Sequence, residues 1–159
     1  MKERIDVRSI KTHKQLSEET LAYTAKVFLD GRHVLDASNH GHGAADMYHL
    51  AKGATKEQRE ELVGVAKDII AERGTVVVEG YTFSPESMAS IALETIVHEI
   101  IYDKEEQKIL RRLCKKHLTV RSPEGEVFTY NVPYSPEAAQ KVLSQPKFSD
   151  YEVVNERFL

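Results

Sequence analysis

At 159 residues the chain is long enough to bury a hydrophobic core and has the size of one domain. Its composition, 41% hydrophobic and 30% charged, excludes a disordered chain, and a formal net charge of −3 with mixed acids and bases supplies no basic field for general DNA binding. The single cysteine, Cys114, excludes an internal disulfide and a thiolate metal cluster and reads as a thiol packed on a helix. A charged start, Met1-Lys2-Glu3-Arg4, and the lack of an apolar run of about 20 residues predict a cytoplasmic protein with no membrane partner.

Ile5, Val7 and, beyond Arg8-Ser9, Ile10 alternate with polar neighbours, which predicts a half-buried strand within residues 3–12. After a polar stretch, residues 20–29 are rich in β-branched and aromatic side chains and run into Asp30-Gly31. That pair predicts a tight hairpin, because both central residues of a type I′ turn need positive φ. Residues 32–38 form the returning strand, and residues 46–50 are a candidate fourth strand of an antiparallel meander.

Thr55-Lys56-Glu57-Gln58 reads as a capping box, followed by Leu62, Val65, Ala66, Ile69 and Ile70 on one helical face and Gly74 as the stop. Residues 76–78 are a short strand or an extended connector. Ser84-Pro85-Glu86 opens a second helix that can reach Lys116. Its stripe of Ala89, Leu93, Ile96, Val97 and Ile100 is not continued by Ile109, Leu110 and Leu113, which lie about a quarter-turn round the axis. This predicts a break near Tyr102–Glu105, or two halves packed on different partners. Residues 118–120 and 127–130 flank Ser122-Pro123-Glu124-Gly125 as a second hairpin. Ser135-Pro136-Glu137 starts a short helix to about Leu143, Pro146 ends it, and the tail is a last strand or a docking segment. The order predicts an α+β fold in a single domain, residues 1–159, rather than a parallel βαβ sheet. Within it, residues 1–52 form the meander, 55–116 the helical part, and 117–159 the hairpin, short helix and tail.

The chemistry is sparse. The loop Ser38-Asn39-His40-Gly41-His42-Gly43 places two histidines at alternate positions, and with Asp46 and His49 they could hold a metal if the segment were extended. Its glycines could instead present amides to an anion, although the P-loop and dinucleotide fingerprints are absent. The plainer reading is a turn in which Gly41 and Gly43 supply positive φ. His98-Glu99 is a near miss to H-E-x-x-H, with Tyr102 where the second histidine belongs, so a zinc protease is rejected. Glu94 and His98, one turn apart, read as an ordinary i,i+4 contact on a second, partly apolar face with Ile91 and Tyr102. Ser84 and Ser135 are explained as helix caps, Ser38 lacks a glycine elbow, and the pairs Glu60-Glu61 and Glu105-Glu106 sit on helix surfaces. No catalytic residue and no cofactor are expected.

Residues 20–43, TLAYTAKVFLDGRHVLDASNHGHG, resemble a family of small uncharacterised proteins from bacteria and their phages. These share a strand, an LDGK-V-like turn and an SNDGHGG-like loop. Here Arg32 stands for the lysine, His40 for the acid and Ala44 for the second terminal glycine. A similar acidic-apolar helix and hairpin extend the likeness over residues 88–130. The resemblance implies a fold and a phage or mobile-element setting, and no catalytic residues. The leading expectation is therefore a non-catalytic protein-binding module, a phage or mobile-element accessory acting on a host protein through Asn39, His40, Gly41, His42, Gly43, Tyr48 and His49. One alternative is a metal- or nucleotide-dependent enzyme using His40, His42, Asp46 and His49. Another is nucleic-acid binding through Arg111, Arg112, Lys115 and Lys116, disfavoured by the overall charge.

Overall fold

The computed structural model describes residues 4–159 and divides after Tyr102 into two compact units. The fold is α+β, as the element order predicts. In the first unit β1 (Ile5–Thr12), β2 (Tyr23–Leu29), β3 (Arg32–Asn39) and β4 (Met47–Leu50) form a four-stranded antiparallel meander in chain order. The turn between β2 and β3 has φ of 48° at Asp30 and 81° at Gly31, as its type requires. Alternate residues of β2 face inward, so Tyr23, Ala25, Val27 and Leu29 are all buried.

On β3 both Val34 and Leu35 are buried, which strict alternation does not allow. The register explains it. Val27 pairs with Leu35 and Phe28 with His33, leaving Val34 as the extra residue of a bulge. A second irregularity, between Arg8 and Lys11 on β1, contains Ser9 at φ 53°.

Helix α1 (Lys56–Arg73) starts with the complete Thr55/Gln58 capping box and is followed by Gly74 at φ 68°. Its five predicted apolar residues, Leu62, Val65, Ala66, Ile69 and Ile70, are the ones it buries. They pack with the inner face of the meander and with Ala92, Ile96, Val97, Ile100 and Ile101 into the main core. Residues 76–78 are a strand, β5 (Val76–Val78), which pairs with β6 (Tyr81–Phe83) across a turn with positive φ at Glu79 and Gly80.

Ser84 caps α2 (Pro85–Met88), whose short turn continues through a 3-10 segment, Ala89–Ile91, into α3 (Ala92–Cys114). Of the two alternatives for the shifted stripe, the break near Tyr102–Glu105 is corrected and the continuous helix remains. The irregular turn lies earlier, at residues 89–91, and the helix is continuous past Tyr102. The shift of its apolar stripe needs no kink, because its first half supplies the core of the first unit whereas Leu110, buried further on, belongs to the second.

In the second unit β7 (Leu118–Arg121) lies between β8 (Val127–Tyr130) and β9 (Glu152–Val153) in an antiparallel sheet. Ser135 caps α4 (Pro136–Leu143). Leu118, Val120, Ala139, Val142 and Val153 form a small core there, extended by Tyr130, Phe148 and Tyr151. The tail is thus a last strand followed by a 3-10 turn, Val154–Phe158. Buried Asn155 accepts from Thr119 N at 2.7 Å and donates to the carbonyls of Cys114 (3.1 Å) and His117 (2.8 Å), satisfying groups at the end of α3.

Candidate functional site

Asn39 closes β3 opposite Tyr23 and is 5% exposed. An amide with two donors and two acceptor sites can brace a turn internally. Its Oδ1 accepts from Gly41 N at 2.8 Å and from Thr20 Oγ1 at 2.9 Å. Its Nδ2 donates to the Ala44 carbonyl at 2.9 Å and to Asp46 Oδ1 at 3.0 Å. The Gly41 carbonyl in turn accepts from Glu18 N and Glu19 N, both at 3.1 Å, so the loop lies on the segment that precedes β2. Gly41 has φ 83°, and a Cβ there would stand 2.1 Å from the Leu16 carbonyl oxygen. Only glycine fits. Gly43 N donates to Thr20 Oγ1 at 3.3 Å. These amides are spent inside the fold, which favours the turn reading of the glycines over an anion nest.

The loop delivers Asp46, whose side chain has no exposed surface. Tyr23 and Tyr48 both donate their hydroxyls to its Oδ2, Tyr48 at 2.8 Å. From α3, His98 Nε2 lies 2.9 Å from Oδ2 and 3.1 Å from Oδ1. The His98 ring also meets Tyr23 and Tyr102 edge-on, with centroids 5.7 and 6.3 Å away. One turn before it, Glu94 Oε2 accepts from Asp46 N at 3.4 Å. Ligand atoms of Asp46, Glu94 and His98 all lie within 4.8 Å of one another.

Burial by itself would push the Asp46 carboxyl up. The hydrogen bonds from His98, Tyr23, Asn39 and Tyr48 together outweigh it and hold the group below its ordinary range. The hydrogen bond to Asp46 raises His98 against the opposing effect of burial, with Asp46 and Glu94 adding Coulombic support. Both tyrosine hydroxyls are pushed above their ordinary range, chiefly by burial. The cluster is a buried carboxylate held by two phenol hydroxyls, an amide and the His98 ring.

The sequence-derived site residues separate into two groups. Asn39, Gly41 and Tyr48 are inward braces. His40, His42 and His49 are exposed; His42 Nδ1 stands 3.4 Å from Glu18 Oε2, and His49 lies on β4 opposite Asp36. The set His40, His42, Asp46 and His49 does not converge. Among the described residues, the group of three that could share a metal is Asp46 with Glu94 and His98. Glu94 and His98 are thus more than an i,i+4 contact. Their one sequence signal was a polar pair off the main apolar stripe, and nothing local linked it to Asp46. Of the basic patch, Arg111 places its guanidinium 5.5 Å over the Phe158 ring.

No family model, curated protein or solved structure matches the chain.

Proposed function

We propose that this chain is a non-catalytic protein-binding module that engages its partner with the 39–46 loop and the adjoining face of α3. One observation carries the reading. Asp46 and His98 bond the loop to the helix, so the loop is ordered before any partner arrives. Beside that clamp, Ile91 and Tyr102 are 47% and 57% exposed on the helical face that carries His98. A preordered surface with an exposed aromatic anchor loses little entropy on docking, and aromatic residues dominate binding energy at such surfaces. His40 and His42, exposed on the same loop, supply adaptable polar contacts. The resemblance to small phage and bacterial proteins makes a host protein the expected partner.

The test is capture from nuclease-treated host lysate with the unmodified chain, an Ile91→Asp/Tyr102→Asp variant and a His40→Ala/His42→Ala variant. One stoichiometric protein should bind the first and be lost from the Ile91/Tyr102 variant, with the melting temperature of that variant unchanged. If every captured protein is retained by both variants, this surface is not the interface.

A further inference from the structure

We propose that Asp46, Glu94 and His98 bind one first-row divalent cation of the Zn²⁺ or Mn²⁺ class, joining the loop to α3 by coordination. The proposal goes beyond the protein-binding reading and stands without it. It begins from the spacing. Two ligands at adjacent positions around such an ion, each about 2.1 Å from it, are about 3 Å apart in an octahedral shell and about 3.4 Å apart in a tetrahedral one. His98 Nε2 is 2.9 and 3.1 Å from the two Asp46 oxygens. The Glu94 oxygen completes a triad within 4.8 Å.

A purely structural Asp–His pair does not by itself require a third ligand-bearing side chain, Glu94, at the same place. The Glu94 carboxylate accepts from Asp46 N at a long 3.4 Å and lies within 4.8 Å of the fully buried Asp46 carboxylate. Like charges at that range repel, and a carboxylate on a half-exposed helical face could turn to water. A cation between them removes the repulsion and takes the place of the proton that now joins His98 Nε2 to Asp46.

Donor chemistry narrows the ion. Imidazole suits Zn²⁺ and its neighbours, and carboxylates suit Mn²⁺ as well. Ca²⁺ wants six to eight oxygens, and Mg²⁺ prefers oxygen and water, so a site with one imidazole and two carboxylates fits neither well. The surroundings match a coordinated carboxylate, since Asn39, Tyr23 and Tyr48 donate to Asp46 and fix its orientation. His98 is 23% exposed, which leaves a path for the ion and room for water at the remaining positions.

Tag-free protein, stripped with chelator, would be titrated calorimetrically with ZnCl₂ and with MnCl₂. One ion per chain should bind. Glu94→Gln, which keeps the side-chain shape, should weaken binding at least tenfold, and His98→Gln should abolish it. The His40→Ala/His42→Ala variant should bind as the unmodified chain does. In the unmodified protein, substoichiometric Mn²⁺ should broaden the amide resonances of Asp46, Glu94 and His98 first, a readout independent of whether any variant folds. The proposal is overturned by no binding of either ion, by affinity indifferent to Glu94→Gln, or by broadening centred on residues 40–42.

Discussion

At the residue scale, two glycines with the same backbone sign have unequal standing. At Gly41 an added Cβ would meet the Leu16 backbone carbonyl, which cannot move without moving the loop's support. At Gly43 it would meet the Glu19 carboxylate, the free end of a flexible side chain, 2.2 Å away. Left-handed strain costs about 1–2 kcal/mol at either site. Gly41→Ala should therefore lose more than about 2 kcal/mol in urea unfolding and Gly43→Ala only about 1 kcal/mol. Equal losses would mean that the loop is not seated on Leu16. Asn39→Ala removes four hydrogen bonds at once and leaves the Gly41 amide unpaired, a cost of about 2–4 kcal/mol.

The Asp46–His98 pair also sets a pH signature for the metal-free protein. His98 is raised from 6.5, so its contribution is complete below 6.5 and is lost as pH rises through its folded value. Asp46 is lowered from 3.8, so its contribution is complete above 3.8 and is lost as pH falls through its folded value. Glu94, Tyr23, Tyr48 and Asn39 face the same pair. The stability lost in His98→Gln should peak between 3.8 and 6.5 and shrink on both sides. A difference that stays flat from pH 4 to 9 would show that the two groups are not ionically coupled.

At the element scale, caps and turns behave as local chemistry demands. The capping box of α1 is exposed and its two hydrogen bonds join Thr55 to Gln58, so Thr55→Ala should cost about 1 kcal/mol without disturbing the His98 resonances. The second unit depends on a residue that no local pattern announces. Asn155 sits four residues before Leu159, yet it is 2% exposed and bonds to β7 and to the end of α3. Asn155→Ala should cost about 2–3 kcal/mol in urea unfolding, far above the effect of a substitution at an exposed polar residue. Helix α3 shows why an apolar stripe can mislead. A change of direction marks a change of packing partner as readily as a bend.

At the scale of the whole molecule, the two units have separate apolar cores, one under the meander and one beside the three-stranded sheet. Separate cores open with separate free energies. Asn155→Ala should accordingly speed amide hydrogen exchange in β7 and α4 while leaving exchange in β2 and β3 unchanged. Uniform acceleration throughout would show a single cooperative block. The mixed charges of the whole chain, net −3, predict no retention on heparin even at low salt.

Sequence alone determined the parts whose energetics close within a few residues. The Asp30-Gly31 turn, the Thr55 and Ser135 caps, the five buried residues of α1 and the meander of alternating strands are set by backbone preference and periodicity. Only the tertiary structure decided the rest. The pairing of β9 with β7 and the meeting of Asp46 with His98 across 52 residues depend on contacts distant in the chain. The Val34 bulge and the β5–β6 pair are local hairpin features that alternation does not mark. A buried carboxylate becomes stable only when the fold brings its donors to it, and those donors come from β2, β3, β4 and α3 together.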